Sequence, residues 1–139
     1  MKNENISNKA EYFSAWFHCA SLPVPLPDSF GIVTPCNPYG RVLSNEENSA
    51  RLKALRTRLT DLNVMHFRVD GGSRDKVHLE LGFGMIMNKD ELVLIGREFD
   101  QDAVFWVQND KVSIITCDSC ETSEVCLWSE RCRIIKPTP

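Results

Sequence analysis

The run Phe30-Gly-Ile-Val-Thr-Pro-Cys-Asn-Pro-Tyr-Gly40, continued by Arg-Val-Leu-Ser44-Asn-Glu-Glu-Asn-Ser-Ala-Arg-Leu-Lys-Ala-Leu-Arg-Thr-Arg-Leu59, decides the fold. Its first five residues are apolar and partly β-branched, which reads as a strand ending at Thr34. Two prolines, an asparagine and a glycine follow within six residues and make a turn. Ser44 and Glu47 then have the spacing of a capping box, in which the hydroxyl and the carboxylate each accept from an otherwise orphan N–H. Leu52, Leu55, Leu59 and Leu62 fall on one helical face, and Arg51, Lys53, Arg56 and Arg58 follow the acidic first turn, as the helix dipole favours.

Downstream, Val64–Val69 reads as a second strand stopped by Asp70-Gly71-Gly72-Ser73, and Val77–Met87 as a third. In the third, Leu79, Leu81 and Phe83 alternate with His78, Glu80 and Gly82. Asn88 caps a second helix, with Glu91 three residues on and Leu92, Ile95 and Phe99 facing inward. Gly96 inside it costs about 1 kcal/mol relative to alanine, so the sequence predicts close packing of this helix on the sheet. Residues 103–107 and 112–116 form a hairpin around Gln108-Asn109-Asp110-Lys111. The order strand–helix–strand–strand–helix–strand plus one strand predicts an α+β fold: a ferredoxin-like split β-α-β sandwich with an antiparallel sheet and both helices on one face.

Upstream, Tyr12, Phe13, Trp16, Phe17 and Ala20 are spaced as an apolar helical stripe over residues 8–20, and Pro23, Pro25 and Pro27 end it. Three parts follow: 1–28, a helix and proline-rich linker; 29–116, the α+β core; and 117–139, a cysteine-rich tail. The 139 residues are 42 % apolar and 25 % charged with a net charge of −3, which suits a packed core and argues against a surface dedicated to coating DNA. The apolar stretch before Ala20 holds Ser14 and His18 and fails as a signal core. Bulky Trp16-Phe17-His18 before Cys19 also suits neither cleavage nor lipidation, so a cytoplasmic location without a membrane span is expected. No Walker loop, dinucleotide glycine fingerprint, nucleophile elbow or His-Glu-x-x-His occurs.

The expected topology brings five chain positions to one sheet edge, carrying Thr34 and Asn37, Asn48 and Arg51, His78 and Glu80, Arg97, and Gln101. This mixture of donors, acceptors, a carboxylate and two guanidiniums beside a helix N-terminus suits an anionic or nucleotide-like small ligand, with Glu80 available as a general base. Each residue also has an ordinary use, in turns, solvated helix faces or an edge ion pair. Cys36 beside this edge could act as a nucleophile with His78 as base, although one Cys and one His in a chain are more often unrelated. Cys117-x2-Cys120-x5-Cys126-x5-Cys132 could close a structural zinc site, since the first pair has knuckle spacing. In a reducing compartment free or redox-active thiols compete with that reading, and were the chain secreted the four could pair in three ways. Two alternatives to ligand binding stay open. One is a protein-interaction module, inhibitor or adaptor, working through the aromatic N-terminal segment or the tail; the other is nucleic-acid binding through the Arg51–Arg58 face.

Phe30-Gly-Ile-Val-Thr34-x-x-Asn37-Pro38, Ser44-x-x-Glu47-Asn48-x-x-Arg51, His78-x-Glu80-x-x-Phe83 and Gly96-Arg97-x-Phe99-x-Gln101-x-Ala103-Val-Phe-Trp106 resemble the bacterial domain-of-unknown-function family 3293, over roughly Tyr12 to Ile115. The resemblance brings no activity with it, but its polar signatures coincide with the edge cluster. Pro35-Cys36, where the family often has a small and an aromatic residue, and Asp100, where glycine is usual, depart from its pattern.

Overall fold

The computed structural model describes residues 12–134. Both predicted helices form where the sequence places them: α1 spans Asn45–Asp61 and α2 spans Lys89–Glu98, each opened by a complete capping box, Ser44 with Glu47 and Asn88 with Glu91. Such a box satisfies two orphan donors and contributes about 1 kcal/mol per cap. Before them lie the strands β1 (Trp16–Cys19) and β2 (Ser29–Val33). After α1 come β3 (His66–Arg68), β4 (Asp70–Gly72), β5 (Leu79–Glu80) and β6 (Phe83–Met85). Then follow β7 (Ala103–Gln108), β8 (Lys111–Thr116), β9 (Thr122–Leu127), the short helix α3 (Trp128–Arg131) and β10 (Cys132–Ile134). Among the described residues the fold is α+β, with the three helices α1, α2 and α3 and two largely antiparallel sheets.

A six-stranded sheet runs β3-β6-β2-β7-β8-β9, all neighbours antiparallel, and a four-stranded sheet runs β10-β1-β4-β5, with only β1 and β10 parallel. The large sheet is buried on both faces. Val104 and Trp106 pack with Leu55, Leu59, Leu92 and Ile95 of the helices, while Phe105, Val107, Val112 and Ile114 pack with Phe17, Val69 and Trp128 of the other layer. Hence β7 is an almost unbroken apolar run rather than an alternating one. Gly96 is required by this packing, because an added Cβ would lie 2.6 Å from a Val104 methyl and 2.7 Å from the Cys117 sulfur.

Three expectations are corrected. Residues 16–19 are a strand and not the end of a helix; Tyr12 and Phe13 are helical, and residues 8–11 of that expected helix lie outside the described ones. A short run of bulky residues fits either periodicity, and β1 is decided by two neighbours that take up its backbone bonds. The tail is not an appendage, since β9 extends the large sheet and β10 the small one. The third predicted strand is two strands. β3–β6 is a hairpin of the large sheet that continues as β4–β5 in the small sheet, bending at Val69 and Leu81-Gly82. Gly82 makes this corner, because an added Cβ would meet the Val33 and Val69 carbonyl oxygens at 2.5 and 2.9 Å.

Candidate functional site

Where the hairpin leaves the large sheet, the two sheets part and leave a cavity of about 440 Å³. Thr34 and Asn37 approach it from the end of β2, Glu80 from β5, Gln101 and Asp102 from the segment before β7, and Ser73, Arg74 and His78 from the hairpin tip. Tyr12, Trp16 and Phe105 supply an aromatic wall. Gly71 exposes bare backbone here, and an added Cβ would touch only a Thr34 methyl, at 3.7 Å.

The polar floor is built around Glu80. Its Oε1 accepts from the Thr34 hydroxyl at 3.1 Å and its Oε2 from the Asn37 amide at 2.9 Å. Asn37 is itself fixed. Its Oδ1 accepts from Asn48 Nδ2 at 2.9 Å and from the Leu43 amide at 3.0 Å, while its own backbone N–H donates to Asn48 Oδ1 at 3.0 Å. The side-chain amide is thereby forced to turn its NH2 towards Glu80. Asn37 takes a left-handed conformation with φ 49°, as do Tyr39 at 51° and Asp100 at 58° on the same corner. Asparagine tolerates this region, but an exposed tyrosine there stores strain of the kind found around binding sites. Gln101, 7 % exposed, donates from Nε2 to the Cys36 and Phe99 carbonyls at 3.1 and 3.0 Å, which leaves its amide oxygen for the cavity.

All eight candidate residues gather around this corner, in different roles. Thr34, Asn37, His78, Glu80 and Gln101 line the cavity, and Asn48 braces Asn37. The two guanidiniums do not line it. Arg51 donates to the Pro35 and Phe99 carbonyls and lies 3.6 Å from Asp100, clamping the end of β2 to the end of α2. Arg97 donates to the Cys117 carbonyl and borders a neighbouring cavity of about 370 Å³ that shares Gln101 and Asp102. In the first turn of α1 the Glu47 N–H donates to Ser44 Oγ, so the anion site expected there from the helix end has a competitor within the chain. On the α1 face read as a nucleic-acid surface, Arg58 pairs with Glu98 at 2.9 Å and Arg56 lies over the Phe83 ring.

The thiols are dispersed. Cys36 is buried, donates to the Leu81 carbonyl, and has its pKa pushed up to about 11 by burial, which disfavours the thiolate a nucleophile needs. Cys117 packs in the helix-side core with its pKa pushed up to about 12 by burial, Cys120 is exposed, and Cys126 and Cys132 pack between the sheets. The four tail cysteines therefore do not converge. Among the described residues no group of three or more His, Cys, Asp or Glu is placed to hold a metal. Cys132 instead meets Cys19 across β1 and β10, and their hydrogen bond raises the Cys19 pKa and lowers that of Cys132.

The family model for proteins of unknown function DUF3293 matches residues 33–104. The chain belongs to this family. The matched segment is shorter than the resemblance read from the motifs, yet it holds every residue of the polar floor, from Thr34 to Asp102. Tyr12 and Trp16 lie before it and Phe105 just after, so in this chain the family segment provides the floor and its flanks the aromatic wall. No curated protein and no solved structure matches the chain. No helix among the described residues is long and apolar enough to cross a membrane.

Sequence reasoning missed the wall and the rim. Tyr12 and Trp16 were assigned to a helix, and Arg74 sits in a turn without a motif. Its guanidinium lies 5.1 Å from the Trp16 ring centroid, with Arg131 at 5.6 Å. The pair Gly71-Gly72 was the available signal, since consecutive glycines beside a strand mark close approach of backbone or ligand. At Gly72 it is backbone, for an added Cβ would lie 2.0 Å from the His78 carbonyl oxygen.

Proposed function

We propose that this domain binds a nucleotide-like small ligand in the cavity between the sheets. One observation carries the reading: an aromatic wall, a hydrogen-bonded carboxylate in the floor and a basic rim surround one space of about 440 Å³, within the size range of small-molecule sites. A planar base would lie against Trp16, Tyr12 and Phe105, its N–H groups would meet Glu80 and Asp102, and its anionic group would lie outward near Arg74 and His78. Simple anions suit the floor poorly, because Glu80 and Asp102 oppose a single guanidinium on the lining. Glu80 in this reading binds the ligand and transfers no proton. The frame also supports a ferredoxin-like description, since β3-β6-β2-β7 is fully antiparallel and α1 and α2 share one core.

The test is thermal-shift and calorimetric titration of the full chain with guanosine, adenosine, cytidine and uridine 5′-monophosphates and with inorganic phosphate. Saturable binding of at least one nucleotide, absent in a variant whose cavity is filled at Gly71, supports the reading. Binding of none, or of inorganic phosphate as tightly as any nucleotide, overturns it.

A further inference from the structure

One pair among the six thiols has surroundings unlike the rest. Cys36 donates to the Leu81 carbonyl, Cys117 lies in the helix-side core, and Cys120 is exposed beside the Arg97 guanidinium. Cys19 and Cys132 instead meet from opposite ends of the chain. β1 and β10 run parallel, with Phe17 opposite Cys132 and Cys19 opposite Ile134. Residues two apart on a strand share a face, so Phe17, Cys19 and Cys132 all turn to the core between the sheets, where all three are packed. There the two thiols are hydrogen-bonded to each other. Cys19 is 1 % exposed, whereas Cys132 is only partly buried and sits on the edge strand of the small sheet.

We propose that these two thiols form a hydroperoxide-reactive pair, in which Cys132 takes the oxidising oxygen and Cys19 converts the product to a disulfide between β1 and β10. Burial assigns the roles, since an oxidant reaches the edge strand before the core. The shared hydrogen bond agrees: it favours the thiolate on Cys132, lowering its pKa, while the same bond and burial keep Cys19 protonated. Attack of the Cys132 thiolate on the outer oxygen of a hydroperoxide forms an S–O bond and breaks the O–O bond. Cys132 becomes a sulfenic acid, and the departing alkoxide or hydroxide takes up the proton that Cys132 gave up. The Cys19 sulfur then bonds to the Cys132 sulfur as the S–O bond breaks, and hydroxide leaves as water with the Cys19 proton. Two thiols thereby lose two electrons, and one hydroperoxide is reduced to an alcohol and water, or to two waters.

The register sets the two residues one diagonal step apart, further than directly opposed residues. β10 has three residues and β1 as its one strand neighbour, so closing the bond asks for a shift of this short edge and leaves the core in place. Arg131, next to Cys132, donates to the Phe13 and Ala15 carbonyls at 3.3 and 3.0 Å and lies over the Trp16 ring. The link therefore fastens the segment that carries part of the cavity's aromatic wall. It also closes a loop that includes nearly all the described residues, and cross-links restrict the unfolded chain most when the loop is long.

The experiment treats the full chain with hydrogen peroxide at pH 8, blocks remaining thiols with iodoacetamide in denaturant, and maps peptides by mass spectrometry before and after reduction with dithiothreitol. A Cys19–Cys132 linked peptide, lighter by two hydrogens, formed within one chain and lost on reduction, is expected. The oxidised protein should melt higher than the reduced one by on the order of 5–10 °C. In Cys19→Ser the sulfenic acid on Cys132 has no thiol to resolve it, so dimedone should trap it there and not in wild type. Should that variant fail to fold, the wild-type peptide map and melting temperatures decide alone. Cys19 and Cys132 still reduced once Cys120 is consumed, a sulfenic acid on Cys132 that persists beside intact Cys19, or a disulfide joining either residue to another cysteine overturns the proposal. So does a Cys19–Cys132 link that leaves the melting temperature unchanged or lowers it, because the folded edge then does not accommodate the bond.

Discussion

Gly71 allows stability and ligand binding to be moved in opposite directions. It is a buried strand residue, paired with Phe17 on one side and Glu80 on the other, and its φ lies outside the left-handed region. Nothing in its conformation needs glycine. An added Cβ would contact a Thr34 methyl at 3.7 Å and otherwise stand in open space. A strand glycine is worth about 0.5–1 kcal/mol less than alanine, so Gly71→Ala should raise the melting temperature by about 2–4 °C for a domain of this size. Gly71→Val suits a strand equally well. If each of its three carbons takes about one water's share of volume, roughly 30 Å³, on the order of 90 Å³ of the 440 Å³ cavity is lost. The nucleotide that wild type binds most tightly should then bind at least tenfold more weakly to a protein that melts no lower than wild type. Differential scanning fluorimetry gives the first quantity and calorimetry the second. A drop of several degrees for Gly71→Ala would show that the space beside Gly71 is not there. Unchanged nucleotide affinity in Gly71→Val would show that the cavity is not the site.

Gly96→Ala should do the opposite at the helix–sheet seam: its Cβ would overlap Val104 and Cys117, lowering stability by about 1–3 kcal/mol in a denaturant titration. Asn37→Gly keeps a residue at ease with φ 49° but removes the donor to Glu80, whereas Asn37→Ala also strains the backbone; both should weaken nucleotide binding, and chemical denaturation should find the alanine variant less stable by about 1 kcal/mol. Cys36, with its pKa raised to about 11, is protonated in the fold where an unfolded thiol, of pKa about 8.5, ionises. Its contribution is complete below about pH 8.5 and is lost as pH rises towards 11, so Cys36→Ala should flatten the fall in melting temperature over that window. At pH 8 iodoacetamide should label exposed Cys120 before buried Cys36, which peptide mass spectrometry would show.

The helices were readable because their signals are local. Ser44 with Glu47 and Asn88 with Glu91 lie within four residues of each other, and the leucine spacing of α1 needs no partner to be recognised. The polar floor was readable for a related reason: once β2, α1, β6, α2 and β7 are in order, chain connectivity alone brings Thr34, Asn37, Glu80 and Gln101 to one end of the sheet. What the arginines would do there was not readable. Arg51 and Arg97 satisfy the carbonyls of Pro35, Phe99 and Cys117, and whether a guanidinium faces a ligand or a backbone oxygen depends on atoms far away in sequence.

The second sheet was illegible on stronger grounds. Its four strands are two to four residues long and come from residues 16–19, 70–72, 79–80 and 132–134, so no window of sequence contains more than a hint of it. Phe17 and Trp128 show what makes it stable. They pack against each other and, with Phe30 and Phe105, make aromatic contacts with centroids 5.0 to 5.3 Å apart, each worth about 0.5–1.5 kcal/mol beyond burial. Those rings come from both ends of the chain, and the large sheet's second face has no cover until they meet. That closure also makes the cavity, because β1 brings in Trp16 and the bent hairpin brings in Arg74 and Glu80. A chain cut to residues 33–104 would keep Thr34, Asn37, Glu80 and Gln101 but lose β1, β8, β9 and β10, most of β2 and β7, and with them Tyr12, Trp16 and Phe105 of the wall. The floor is thus encoded within the family segment, and the enclosure that would turn it into a binding site is encoded by the flanks.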